Sequence, residues 1–363
     1  MSQEGFFSDF THVSFFKDSR RHFTRGSTGF NGNSTSTASS ATDTLFRYTI
    51  SAAFEPKNRL KDEAEEGELI RKSKKHITVA GSNAIDSPTG EDNFVMAVAE
   101  DGTAIVGVAD GVGGWSEQGY DSSAISRKLC RCLEEVFLAL RAKREPIPEP
   151  RKLLSLAFEK VKDSGEVEVG STTVCYGTID EYGALKVANL GDSWFGVFRQ
   201  DEAGVAGSRF KCVSESTEQT YYFNAPYQLS IIPERILDAG KKRQANYLRN
   251  EPAESDVYEQ QLQRGDVVVF GTDGVGDNVS VADIELYLTD SFAPFQDSSK
   301  DSRILYDKAQ LEHINSKFVK AVKTLSNDIK YPSVFSQRLS EVTGQPYIGG
   351  KPDDITSVIV YVD

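Results

Sequence analysis

Val267-Val-Val-Phe-Gly-Thr-Asp273-Gly274 is a short apolar run that ends in an acid and a glycine. The same wording stands earlier in the chain, in Ala104-Ile-Val-Gly-Val-Ala-Asp110-Gly111. Short apolar runs bounded by turn residues predict buried strands. An aspartate where such a strand emerges is held rigidly at the sheet edge, and the glycine after it lets a ligand or metal approach the backbone. Near the C-terminus, Pro352-Asp353-Asp354-Ile355 puts a third acid at the start of a third strand. Glu91-Asp92 precedes a fourth, and Gly191-Asp192-Ser193 lies between two more. Taken singly, an Asp-Gly pair is most often only a turn, and Gly191-Asp192-Ser193 by itself reads as one.

Outward from these runs, strands and helices interleave. Residues 94–99 and 104–109, separated by Glu100-Asp101-Gly102, predict a β-hairpin. Ile125, Leu129, Leu133, Val136, Phe137 and Leu140 keep a helical period over 121–143, with Asp121 or Ser122 as the cap. A second helix is expected over 152–162. Residues 172–178, 185–189 and 195–198 read as consecutive antiparallel strands, 266–272 as a buried strand, and 355–362 as the closing strand. Helices are expected over 302–325 and 333–343. Residues 213–265, rich in Tyr, Asn and Gln, read as irregular. Helix pairs between sets of hairpin strands predict an α+β fold of two packed sheets with helices outside.

The chain has 363 residues, and 41 basic against 54 acidic side chains leave a net charge of −13. Such a balance argues against a nucleic-acid binder, which needs a basic face. It suits a soluble protein that collects divalent cations on carboxylates. No apolar stretch is long enough to span a membrane. The four cysteines, Cys130, Cys132, Cys175 and Cys212, form no C-x-x-C pair and read as reduced core thiols. Cys130 and Cys132 lie about 200° apart around their helix, so they do not share a face.

The first 50 residues differ from the rest, with 17 Ser or Thr and a net charge of +1. Phe6, Phe7, Phe10, Val13, Phe15 and Phe16 precede Arg20, Arg21 and Arg25. That pattern suits a mitochondrial presequence, whereas Glu4, Asp9 and Asp18 suit a plain tail, and both readings stand. Residues 26–44 are low in complexity, and 62–75 run from acidic to basic as a solvated linker or helix. The folded body is expected from His76 onward, giving segments 1–75 and 76–363.

Hard oxygen ligands on several strands, without Cys or His beside them, suit Mg²⁺ or Mn²⁺ and not zinc. Several carboxylates at one point repel one another, and one or two cations relieve that repulsion. A bridged pair of metals would acidify a water and clamp a phosphoryl oxygen. Other nucleophile classes are missing: no Cys is followed six residues later by Arg, and neither G-x-S-x-G nor a Walker-type phosphate loop occurs.

In their order, Glu91-Asp92, Asp110-Gly111-x-Gly113-Gly114, Gly170-Ser171-Thr172-Thr173, Asn189-Leu190-Gly191-Asp192-Ser193, Thr272-Asp273-Gly274-Val275-Gly276-Asp277-Asn278 and Asp353-Asp354-Ile355-Thr356 resemble the metal-dependent protein Ser/Thr phosphatases of the PPM family, type 2C. The resemblance covers about 76–363. Ala109-Asp110-Gly111-Val112-Gly113-Gly114-Trp115 and the segment from Tyr222 to Ser230 resemble its mitochondrial branch, which is associated with control of coenzyme Q synthesis. The resemblance implies an αββα sandwich with two Mn²⁺ or Mg²⁺ ions at one end. Asp110 would bridge both, the Gly111 carbonyl would bind the first, and Asp273 and Asp353 the second. Glu91 would hold water, Asp192 and Asp277 would serve a weaker third metal, and 213–265 would be the flap beside the site. It further implies phosphorylated protein substrates, a monomer, and a place in the mitochondrial matrix.

Two positions depart from the family pattern. Val112 stands where the family has His, its proposed general acid, and Ser87 where a phosphate-gripping Arg is usual. Loss of a general acid typically costs about 10²–10⁴-fold. Asp354 stands where many members have Asn, with little effect expected. A metal-dependent phosphoprotein phosphatase is therefore the expected activity. Its competitors are a pseudophosphatase that binds phosphoproteins without turnover, motivated by Val112 and Ser87, and a hydrolase of small phosphate esters, which would need a closed pocket.

Overall fold

The computed structural model describes residues 45–57, 88–201, 209–242, 247–292 and 307–363. The expected presequence, the charged patch, His76 and Ser87 lie outside the described residues, as do the first residues of the helix expected from 302. In chain order the strands are β1 (Tyr48–Glu55), β2 (Asp92–Val98), β3 (Ala104–Asp110), β4 (Gly170–Thr172), β5 (Val174–Ile179), β6 (Ala184–Leu190), β7 (Trp194–Gln200), β8 (Phe210–Glu215), β9 (Thr220–Tyr222), β10 (Ala225–Pro226), β11 (Leu229–Ile231), β12 (Asp256–Gln261), β13 (Val267–Gly271) and β14 (Ile355–Val362). The main helices are α1 (Ser123–Ala142), α2 (Pro150–Ser164), α3 (Glu234–Lys242), α4 (Val281–Phe292), α5 (Lys308–Ser326) and α6 (Val334–Thr343).

Ten strands form two five-stranded antiparallel sheets, ordered β1-β14-β13-β7-β8 and β12-β6-β5-β3-β2. Helices α4 and α5 cover the outer face of the first, and α1 and α2 that of the second. The αββα sandwich is the architecture expected above.

Strand alternation builds its middle layer. Ala104, Val106 and Val108 of β3 pack with Val268 and Phe270 of β13 and with Val358, Val360 and Val362 of β14 between the sheets. The opposite face of β3, with Ile105 and Ala109, packs on Leu129, Leu133 and Phe137 of α1. All eight residues of β14 are buried because both of its faces are covered. On the outer side, the buried Asn315 of α5 donates through its amide nitrogen to the carbonyls of Ser51 and Ser357 at 2.9 and 3.1 Å and so joins α5 to β1 and β14.

The structure corrects several expectations. The sheet begins well before His76, since β1 pairs with β14 from Tyr48↔Val362 to Glu55↔Ile355. The sequence around 48–55 alternates only weakly, and its partner lies at the far end of the chain. β7 does not follow β6 in one sheet: β6 pairs with β5 and β12, whereas β7 pairs with β13 and β8. Residues 191–193 are therefore a crossing between sheets, made possible by Gly191 at φ +110°. Within 213–265, β12 is an edge strand whose exposure alternates, the pattern of a strand with one covered face. Helix α4 carries no expectation from the sequence reading. Cys130 and Cys132 are both buried although they face apart, because α1 has the sheet on one side and α2 on the other.

Candidate metal centre

The alternation that builds the core also aims the acids. Asp110 follows Ala104, Val106 and Val108 in the row that faces the other sheet. Asp92 is its direct cross-strand partner on β2. On β14 the row of Val358 and Val360 continues through Thr356 to Asp354, and beyond β13 the row of Val268 and Phe270 continues to Thr272. Thr272 Oγ1 donates to Asp92 Oδ2 at 2.8 Å and so ties one sheet to the other. Asp110, Asp92 and Asp354 meet at one end of the sandwich because each ends or pairs with a row that points inward, and Asp273 and Asp353 stand one residue beyond such a row.

The two Asp-Gly exits are then built differently. After Asp110 the chain stays extended, with Gly111 bridged to Thr172, while Asp110 O accepts from Thr173 N and Thr172 Oγ1, both at 2.9 Å. A methyl group on Gly111 would stand 2.2 Å from Ser122 O. After Thr272 the chain turns into one helical turn, Asp273–Gly276, with Asp277 N bonded to Asp273 O at 2.8 Å. A methyl on Gly274 would stand 2.0 Å from Asp354 O.

Glu91 sits between the exits. Ser122 Oγ donates to its Oε1, and Ser126 Oγ donates to its carbonyl at 2.6 Å. Its Oε2 lies where a Gly113 side chain would begin, 2.9 Å from that ideal Cβ, so Gly113 leaves room for the carboxylate. Asp354 holds the Glu91 turn from the other side. Its Oδ2 accepts from Glu91 N at 2.8 Å, and its Oδ1 accepts from Lys57 N. Gly90, at φ +75°, packs its backbone against that same carboxylate. Asp354 is a positioning residue, a role beyond the small effect expected of it.

Among the described residues, no three His, Cys, Asp or Glu side chains stand in a closed ligand shell. Lys351 stands among the acids instead. Its ammonium donates to Asp273 Oδ2 at 2.6 Å and to Asp277 Oδ2, and lies 3.4 Å from Asp353 Oδ2. Its side chain is 17% exposed. Lys57 lies 3.5 Å from Asp353 on the outer side.

The charges sort accordingly. Burial pushes the Asp110 carboxyl well above the usual range, and Asp273, Asp92 and Asp353 push it further. Asp92 and Asp192 are raised in the same way, by burial first and then by neighbouring carboxylates. Burial also works against the charge of Asp273, yet Lys351 and a hydrogen bond with Asp110 hold its pKa below the ordinary value. Burial raises Asp277 to about 7 against the pull of Lys351, and burial with Asp273 raises Asp353 to about 6. Burial alone would lower the Lys351 ammonium, but Asp273, Asp277 and Asp353 outweigh it and keep the lysine protonated.

This environment fits divalent cations. Every donor is a hard oxygen. The buried Asp192 Oδ1 has no hydrogen-bond partner. A lysine ammonium already answers the charge demand of three of the acids.

Comparison with known proteins fits these observations. No family model matches the chain. "Protein phosphatase 2C homolog 7, mitochondrial" of Saccharomyces cerevisiae is 42% identical over 320 residues, 88% of this chain and 83% of that protein. The chain belongs to the type 2C protein phosphatases. It is a protein serine/threonine phosphatase, and like its yeast relative it is mitochondrial. "Protein phosphatase PTC7 homolog fig" of Drosophila mojavensis is 32% identical and covers 77% of this chain, with 80% of its own length matched. Among solved structures, the photosystem II phosphatase PBCP shares the fold, with a TM-score of 0.58 at 22% identity over 87% of this chain and 99% of that one.

For this type 2C phosphatase, Asp110, Asp273, Asp353, Asp192, Asp277 and Glu91 all come to one end of the sandwich. Gly111 lies there too, against the Glu91 carbonyl at 3.1 Å. Lys351 and buried Asp92 are parts of the site that the sequence reading did not assign. Lys351 stands two residues before Asp353, and a lysine beside an Asp-Asp pair was the available signal. The phosphatase also has a cleft of about 200 Å³ lined in part by Asp192, Asp273 and Asp277.

Proposed function

We propose that this phosphatase hydrolyses phosphoserine and phosphothreonine in mitochondrial proteins with two Mn²⁺ or Mg²⁺ ions. Asp110 would be shared between them, the Gly111 carbonyl would serve the first, and Asp273 and Asp353 the second. Asp192 and Asp277 would serve a weaker third. Bound cations would acidify the attacking water and neutralise charge on the phosphoryl oxygens. Glu91, fixed by Ser122 and by the Asp354 hold on its backbone, is placed to orient that water. Asp354 and Asp92 keep the two sheet ends in register through Glu91 N and Thr272 Oγ1. Lys351 would yield part of the acid cluster when cations enter. Val112 supplies no proton: its side chain is aliphatic and its N–H is spent on Ser171 O at 2.9 Å.

The single observation that carries this reading is the Lys351 ammonium among Asp273, Asp277 and Asp353. It marks a point where the fold demands positive charge. The resemblance to the mitochondrial branch supports a monomer in the matrix that regulates metabolism, including coenzyme Q synthesis. The test is hydrolysis of a phosphothreonine peptide by the full chain, with Mn²⁺ and then EDTA, beside Asp273→Ala. The expected result is metal-dependent turnover that falls at least about 10³-fold in the variant. Val112 favours one second reading, a pseudophosphatase; Mn²⁺ binding by calorimetry without turnover would select it.

A further inference from the structure

The cleft beside the acids has lining residues that the metal chemistry does not use. Glu218 and Phe223 of the 213–265 segment and Phe335 and Arg338 of α6 line it together with Asp273 and Asp277. Helix α6 is anchored to the acid cluster itself, because Phe335 N donates to Asp277 O at 2.8 Å. Arg338 lies three residues on, so it projects from the same face as Phe335. The Phe335 ring packs on Phe223 at 5.1 Å and under the Lys351 ammonium at 5.2 Å. Arg338 therefore stands on a fixed support, with its side chain 44% exposed to the cleft and solvent. Its Nη1 donates to Glu218 Oε1 at 2.6 Å.

We infer that Arg338 is the guanidinium that grips the phosphoryl group of the substrate, in place of the arginine missing at Ser87. The inference rests on the phosphatase reading and deepens it. A phosphate monoester entering this cleft meets Asp273, Asp277 and Glu218, so it needs a fixed counter-charge besides the metals. A guanidinium presents several donors in one plane and matches two phosphoryl oxygens at once, whereas an ammonium offers a point charge. Lys351 is already committed to three carboxylates. Among the residues lining the cleft, Arg338 is the one cation. Glu218 would hold the guanidinium in place and release it when the phosphoryl group arrives. The aromatic pair Phe223–Phe335 would form the apolar floor under the methylene or methyl of the phosphorylated side chain.

The test uses full-length Mn²⁺-loaded protein with a phosphothreonine peptide and with inorganic phosphate as a competing ligand. Arg338→Ala is expected to raise both KM and the phosphate inhibition constant by about 10- to 100-fold, the loss of a charge-assisted pair. Arg338→Lys should recover part of that loss, and Glu218→Gln should tighten phosphate by a few-fold, on the order of one exposed ion pair. Mn²⁺ affinity by calorimetry should not move. An unchanged phosphate inhibition constant in Arg338→Ala would overturn the inference even if KM rose, because the arginine would then contact the peptide and not the phosphate. Weakened Mn²⁺ binding would also overturn it. If the wild-type protein fails to turn over, phosphate binding by calorimetry still decides: loss in Arg338→Ala supports the grip, and the failure falls on the phosphatase reading alone.

Discussion

The two Asp-Gly exits are spelled alike, and their carboxyls are shifted in opposite directions. Asp110 leaves β3 into extended chain, faces Asp92 across the ladder, and is pushed well above the usual carboxylate range. Asp273 leaves β13 into a helical turn and is held below that range. The difference is one ammonium. Lys351 reaches Asp273, Asp277 and Asp353 and comes from the loop before β14, 78 residues after Asp273. A local motif therefore fixes where an acid emerges, while a distant side chain fixes whether it is charged. One carboxyl is held by burial and like charges, the other by an ion pair.

Removing that ammonium should have the largest effect on the metal-free protein. Lys351→Met is expected to cost about 3 kcal/mol, because it strands buried carboxylates without their partner. Urea denaturation in EDTA measures it, and added Mn²⁺ should stabilise the variant more than the wild type. A variant as stable as wild type in EDTA would break the contrast between the exits.

Next come the exits themselves. Asp273→Asn should cost about 1.5–3 kcal/mol in EDTA, the worth of a hydrogen-bonded charge. Asp110→Asn should change stability by less than about 1 kcal/mol, since Asp110 is favoured in its neutral form there and Asn is close to isosteric. Equal losses at both positions would mean that Lys351 does not distinguish them.

The smallest effect is in pH. Burial raises Asp277 to about 7, so in EDTA it keeps its proton in the folded chain after the unfolded chain has released it. That contribution is present in acid and is lost as pH rises from about 4 through about 7. Asp277→Asn should flatten this part of the thermal-midpoint profile. A wild-type profile no steeper than that of Asp277→Asn would show that Lys351 already keeps Asp277 ionised.

Much of the fold is legible in the sequence where burial leaves a local mark. The hairpin of β2 and β3 declares itself by two apolar runs and a polar turn. Helix α1 declares itself by its period, and β13 and β14 by being apolar on both faces. What escaped has no local mark. β1 is assigned by its pairing with the opposite end of the chain. The crossing at 191–193 looks like any tight turn until β7 is seen beside β13. β12 lies within a polar stretch because an edge strand has only one covered face.

The site divides along the same line. Asp110, Asp273 and Asp353 are legible because clustered acids at strand ends have few other reasons to exist, and because their order resembles the type 2C phosphatases. The sandwich and the acids at its strand ends can be read from the chain alone, since alternation and turns are written residue by residue. Only the packed chain brings Asp354 onto the Glu91 turn, Lys351 onto Asp273, whose pKa it lowers, and Arg338 to the same cleft. These are contacts between residues tens to hundreds of positions apart, and the charge of a buried group depends on everything packed around it, not on its neighbours in the chain.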